Sequence, residues 1–266
     1  MAIEEKKNTY VDPRITLVGA GPGDPDLISV KGVKALKSAD VVIYDALVDE
    51  SLLKYAPDSA AKVFVGNPSG EENFSQDMVN QLMVDYALNF GHVVRLKGGD
   101  LFVFGRGYEE LDFATSYSIP TFVVPGISSA ISVPGLQGIP VTHKGVSESL
   151  WVLTATDADG NISSELGEAA RSKATVVILL GFQYLQKIVH IFKEAGKEQL
   201  PAAIIQNGSM KNERVAIGKV SDISSIASEQ GIDNTGPVLL VFGTAVSLHT
   251  RALGSGQWLT INKVFA

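Results

Sequence analysis

Asp45, Asp100 and Arg106 are the residues whose types and settings suggest chemistry. Asp100 lies in residues 93–107, VVRLKGGDLFVFGRG. An apolar run of the kind that becomes a buried parallel strand ends there at Lys97-Gly98-Gly99-Asp100. Two glycines at a strand end allow positive φ and let a ligand approach the backbone. Asp100 adds a carboxylate, an acceptor suited to sugar hydroxyls or an amine. Phe102 and Phe104 offer apolar walls, and Gly105-Arg106-Gly107 is expected to hold one guanidinium between two flexible joints. Asp45 closes a second apolar run and could serve as a ligand-edge carboxylate or a base. Taken alone, residues 93–107 could equally be a strand, a turn and a helix start with no ligand.

Composition narrows the chemistry. The 266 residues include no cysteine, which excludes disulfides, thiolate metal sites and cysteine nucleophiles. His92, His143, His190 and His249 match no metal spacing, so no metal is expected. A formal net charge of -7 with no basic stripe argues against nucleic acid as the partner. No segment approaches the roughly 20 apolar residues that span a bilayer. The polar first residues do not read as a signal peptide, and a cytoplasmic protein is expected.

The elements that must position these residues follow from periodicity. Strands are predicted at 15–18, 41–44, 63–65, 93–96 and 121–124, alternating with helices. That alternation implies a right-handed parallel α/β layer. Ser29 is expected to cap a helix with Val30, Val33 and Leu36 inward, and Ser75 one with Val79, Leu82, Met83 and Tyr86 inward. Gly19-Ala20-Gly21-Pro22-Gly23-Asp24-Pro25 fails as a dinucleotide fingerprint. Asp24 takes the third glycine's place, and a carboxylate there repels pyrophosphate. The loop suits a ligand without phosphates. Loops at Gly19, Gly66, Gly98 and Gly126 all fall at carboxyl ends, where such sheets bind ligands. After an irregular stretch at 135–144, strands are predicted at 151–153, 175–180, 202–205, 215–217 and 238–242. Asn207-Gly208 between two of them suggests antiparallel pairing. The expected organisation is a parallel α/β domain at 13–126 and a mixed α/β domain at 127–253.

In order along the chain, GAGPGDPDL, YDALV, RLKGGDLFVFGRG, VPGISSA and GIPVTH resemble the loops of the tetrapyrrole methylases. The likeness continues more weakly through ILLGF, IIQNGS and PVLLVFG. It implies the two-domain methylase fold, with S-adenosylmethionine in the cleft between domains, and a homodimer. It also implies methylation of two carbons of uroporphyrinogen III to give precorrin-2, the entry to sirohaem and cobalamin. The cofactor has a ribose, an amino-acid end and no phosphate, which suits these loops. Carried over by position, Pro22, Gly98, Gly99, Asp100, Val103, Ser128, Ser129, Leu180 and Gly208 resemble its contacts, and Asp45 resembles the proton acceptor. The acceptor's rim carboxylates call for cations. Arg106, His143 and Lys144 are the candidates, with Arg95 and Lys97 open to pointing away.

The chain also departs from the family. A lysine proton donor and a frequent arginine are replaced by Asn67 and Pro68, a proline by Leu101, a Thr-Gly-His by Thr154-Ala155-Thr156, and a methionine by Leu180. The departures leave two alternatives open: a methylase of the same fold with another tetrapyrrole acceptor, or a cofactor-binding paralogue without catalysis.

Overall fold

The computed structural model describes residues 11–66 and 74–249. The chain divides into two compact units, Met1–Ile127 and Ser128–Ala266. Asn67 and Pro68 lie outside the described residues.

The first unit is built on β1 (Arg14–Gly19), β2 (Val41–Tyr44), β3 (Ala61–Phe64), β4 (His92–Lys97) and β5 (Thr121–Val124). The order is β3-β2-β4-β1-β5 and every pairing is parallel. β1, β2 and β4, buried almost throughout, read as near-continuous apolar runs, whereas the edge strands β3 and β5 are partly exposed. On one face, α2 (Gln76–Phe90) and α3 (Gly107–Ser116) bring Val79, Met83 and Ala114 against Ile15, Leu17, Ile43 and Val93. On the other, α1 (Val30–Lys37) sets Leu36 against Val18, Val42 and Val94.

The Ser29 hydroxyl accepts from the Gly32 amide and starts α1, and the Ser75 hydroxyl does the same for α2 from Met78. The inward face of α1 differs from expectation. Val30 is 73% exposed, and Gly32 and Leu36 are the buried positions. A Cβ on Gly32 would stand 3.0 Å from Val18, so the glycine lets the helix lie close on the sheet.

The second unit holds α4 (Ser129–Leu136), β6 (Leu150–Thr154), α5 (Glu165–Arg171), β7 (Thr175–Leu179), α6 (Leu185–Glu194), β8 (Pro201–Gln206), β9 (Arg214–Lys219), α7 (Ile223–Glu229) and β10 (Val238–Phe242). Its sheet runs β6-β7-β10-β8-β9. β6 and β7 are parallel, and β10 is antiparallel to both β7 and β8. β8 and β9 form the antiparallel pair expected around Asn207-Gly208. In α6, residues 185, 188, 189 and 192 share one buried face, as helical spacing requires. Phe192 stacks on Phe242 with ring centroids 4.4 Å apart. α4 covers the opposite face with Ala130 and Val133.

Candidate active site

In the first unit the carboxyl ends of β1, β4 and β5 are joined main chain to main chain. Gly21 and Gly99 form an isolated antiparallel bridge, with the Gly99 amide donating to the Gly21 carbonyl at 2.7 Å. A Cβ on Gly126 would fall 2.1 Å from the Gly99 carbonyl oxygen and 2.6 Å from the Gly19 Cα, so no side chain fits at this junction. Gly99 itself, at φ +68, has nothing within 4 Å of the place its Cβ would occupy. The backbone there is open to close approach, as a cradle for a small ligand requires. Pro22 is carried beside this bridge by Gly21.

Asp100 holds its own turn. Its Oδ1 accepts from the amides of Phe102 at 2.9 Å and Val103 at 3.1 Å, which fixes the turn. Oδ2 takes no part in those bonds. Val103 is exposed between exposed Phe102 and Phe104, so the apolar walls face outward.

Arg106 is placed differently from expectation. The flanking glycines are not flexible joints. A Cβ on Gly105 would lie 2.4 Å from the Leu101 carbonyl oxygen and one on Gly107 2.7 Å from it, so both are required where the loop doubles back. Arg106 caps α3 and pairs with Glu109 through two hydrogen bonds. Those bonds hold the guanidinium above its ordinary pKa and the Glu109 carboxyl below its own.

Asp45 follows β2 with its side chain 29% exposed. Arg95 Nη1 donates to Asp45 Oδ1 at 2.8 Å, and Arg95 Nε to Glu110 Oε1 at 3.1 Å. Lys97 Nζ donates to the same Glu110 oxygen at 2.8 Å, and Gln76 Nε2 at 3.2 Å. Arg95, Lys97 and Glu110 are buried. Burial works against the Arg95 charge, but Asp45 and Glu110 outweigh it and raise the guanidinium pKa. Arg95 and Lys97 therefore face this internal network, not an acceptor's rim. Sequence reasoning missed Glu110. The available signal was two cations spaced i, i+2 on a strand buried on both faces, a pattern that demands an internal carboxylate.

In the second unit the parallel strands β6, β7 and β8 end along one edge of their sheet. Leu180 follows β7 at φ 53 and is 70% exposed. Gly208 follows β8 between Asn207 at φ 52 and Ser209 at φ 71. Non-glycine residues in the left-handed region carry strain that clusters at ligand sites. A Cβ on Gly208 would lie 2.3 Å from Val133 on α4, so that turn sits directly on the helix. Ser128 caps α4, its hydroxyl accepting from the Ala130 amide, and Ser129 opens the first turn. His143 and Lys144 are exposed in a turn closed by the His143 amide on the Ser147 carbonyl. Thr175 Oγ1 donates to Ser147 Oγ, which ties this turn to the start of β7, the opposite end from Leu180.

Among the described residues, no group of three His, Cys, Asp or Glu side chains could hold a metal ion, and no helix is long and apolar enough to cross a membrane.

A parallel glycine-laced sheet followed by a mixed sheet with strained strand ends is the architecture of a known class. The chain belongs to the tetrapyrrole (corrin/porphyrin) methylases, whose family model matches residues 14–224. It is 42% identical over 237 residues to the uroporphyrinogen-III C-methyltransferase of Methanocaldococcus jannaschii, covering 88% of this chain and 97% of that one. It is 39% identical to a siroheme synthase of Actinobacillus pleuropneumoniae, covering 92% of this chain. The chain spans about half the length (50%) of that synthase. The uroporphyrin-III C-methyl transferase of Thermus thermophilus, solved in complex with S-adenyl homocysteine, superposes with a TM-score of 0.73 at 33% identity, covering 88% of this chain and 99% of that one. The family and the fold class read from the loop motifs are both borne out.

Proposed function

We propose that this chain methylates two carbons of uroporphyrinogen III to give precorrin-2, using S-adenosylmethionine. The observation that carries the reading is the open backbone at Gly99, bridged to Gly21 and followed by the fixed carboxylate of Asp100. The group fits such a place: it has hydroxyls and an amine to meet acceptors, and no phosphate to be repelled. When bound, S-adenosylmethionine supplies a methyl on a sulfonium, which leaves as a thioether when a carbon nucleophile displaces it. The chain's own task is alignment and exclusion of water. Pro22, Gly98, Gly99, Asp100 and Val103 in the first unit, and Ser128, Ser129, Leu180 and Gly208 in the second, are the proposed cofactor contacts. Asp45 is the proposed acceptor of the proton lost as the tetrapyrrole rearranges. Arg106, His143 and Lys144 are proposed to meet the substrate's carboxylates, with Arg106 exchanging Glu109 for one of them. Homodimerisation and a cytoplasmic location rest on the resemblance alone.

The test is incubation of the purified protein with uroporphyrinogen III and S-adenosylmethionine. A mass gain of two methyl groups is expected. S-adenosylhomocysteine at 100 times its dissociation constant should add roughly 2.7 kcal/mol of stability. Stabilisation by S-adenosylhomocysteine without any mass gain would favour another tetrapyrrole acceptor or a cofactor-binding paralogue without catalysis, the two readings to which the Asn67-Pro68 departure points. No stabilisation at all would overturn the proposal.

A further inference from the structure

We infer that Arg95, clamped by buried Glu110, is the positioning residue for Asp45, and that the internal charge network exists to aim this one carboxylate. The inference rests on the reading of Asp45 as proton acceptor. Four ionisable groups form an unbranched relay from the interior to the surface: Lys97, Glu110, Arg95, Asp45. Their formal charges cancel in pairs, and only Asp45 reaches solvent.

The geometry constrains each member. Val93, Arg95 and Lys97 alternate onto one face of β4, and α3 lowers Glu110 onto that face. Glu110 Oε1 takes three donors, from Arg95, Lys97 and Gln76, and Gln76 also donates to Asn80 Oδ1 at 2.9 Å. With Nε held by Glu110, the planar guanidinium has one orientation left. Its Nη1 then points past the Ile43 and Leu96 carbonyls to Asp45 Oδ1. A lysine at 95 could supply the charge but not this fork. Oδ1 is thereby committed to Arg95, and Oδ2 is the oxygen presented for proton abstraction. The relay ends on a partly exposed carboxylate at a strand end, where sheets of this kind bind their ligands.

The experiment measures methylation of uroporphyrinogen III across pH for wild type, Asp45→Asn, Arg95→Lys, Glu110→Gln and the double variant Asp45→Asn/Arg95→Lys. Melting curves and S-adenosylhomocysteine affinity check folding. Asp45→Asn should lower turnover by about 10²–10⁴-fold. Arg95→Lys should lower kcat by roughly 10²-fold, the effect of a misplaced catalytic group, with cofactor affinity unchanged. The double variant should be no slower than Asp45→Asn, because Arg95 acts only through Asp45; a merely structural role would multiply the two losses.

Glu110→Gln keeps the shape and removes one negative charge, leaving Asp45 to face Arg95 and Lys97 alone on β4. Glu50 lies beyond Tyr44, and Asp77, Arg106 and Glu109 surround the network from α2 and α3. The variant retains all of these. The extra positive field favours the carboxylate, so the acid limb of the kcat/KM profile should move to lower pH. Full kcat in Arg95→Lys together with an unmoved limb in Glu110→Gln would overturn the inference while leaving the proposed function intact. Undiminished turnover in Asp45→Asn would instead remove the proton-acceptor reading, and the inference with it. A wild type that does not methylate this acceptor would remove both.

Discussion

Among the described residues, the parallel sheet's unit buries Arg95, Lys97 and Glu110, whereas the mixed sheet's unit buries only neutral polar groups: Ser147, Thr175, Gln206, Asn207 and Ser209. The two units prepare their strand ends differently. In the first, glycines bring main chains into contact and a charge relay sets one carboxylate. In the second, Leu180, Asn207 and Ser209 sit at positive φ around the strand ends with no buried charge beside them, whereas the first unit adds Phe104 at φ 53 to its charge relay. Gln206 illustrates the second style, donating to Asp233 Oδ1 at 2.7 Å. The hydroxyl and amide of Thr235, and then Gln206, hold the Asp233 carboxyl down at about 2. Rigidity from charge is costly to disrupt, and rigidity from strain costs little to relax. That difference can be measured.

The largest effect is expected from Glu110→Ala. It strands two buried cations, and breaking a buried ion pair on one side costs about 3–5 kcal/mol. Gln206→Ala in the second unit removes hydrogen bonds to the surface Asp233 but strands no buried charge, and should cost about 1–3 kcal/mol. Equal losses in denaturant titration would break the comparison. Next comes Gly126→Ala, whose Cβ would meet the Gly99 carbonyl oxygen at 2.1 Å. Overpacking against main chain should cost roughly 1–3 kcal/mol and weaken S-adenosylhomocysteine binding as the Gly19–Gly99 junction opens. Unchanged calorimetric binding would mean that this junction does not shape the site.

Leu180→Gly should change stability by less, raising it by up to about 1 kcal/mol. Leu180 is mostly exposed at φ 53, so little burial is lost and strain is relieved. A loss of the size expected for a core deletion would refute the view that its backbone is the strained part.

The smallest effect concerns pH and again separates the units. His92 Nδ1 lies 2.8 Å from the Ser38 carbonyl oxygen, which can only accept, so Nδ1 carries the proton and Nε2 accepts from the Thr16 hydroxyl. Burial pushes the His92 pKa below its ordinary 6.5. The unfolded chain then binds a proton that the folded chain refuses. The contribution is fully present above about 6.5 and is lost as pH falls from there through the folded value. Hydrogen exchange should show amides of β1 and β4 losing protection over this window. His92→Gln should flatten that slope, and an unchanged slope would assign the acid sensitivity to another group.

How much of this was legible follows from the same contrast. The parallel strands announced themselves as apolar runs, and the glycine loops at their ends gave the ligand edge. The boundary of β3 moved, because Lys62 interrupts the apolar run and pairing with β2 sets the strand's limits. Arg95 and Lys97 were legible as cations of open direction, since their i, i+2 spacing demands an internal partner only once both faces of the strand are known to be covered. Glu110, beside Glu109 at a helix start, reads as an ordinary surface residue. The left-handed turn at Leu180 carries no local signature, because leucine does not favour it, whereas Asn207 beside Gly208 did signal a turn, since asparagine tolerates that region.

The meeting of Gly19, Gly99 and Gly126 has a consequence for inheritance. Its spacing depends on main-chain contact, with no room for a side chain at Gly19 or Gly126, and not on the packing of side chains around it. Substitutions in the surrounding core can therefore accumulate without moving the junction.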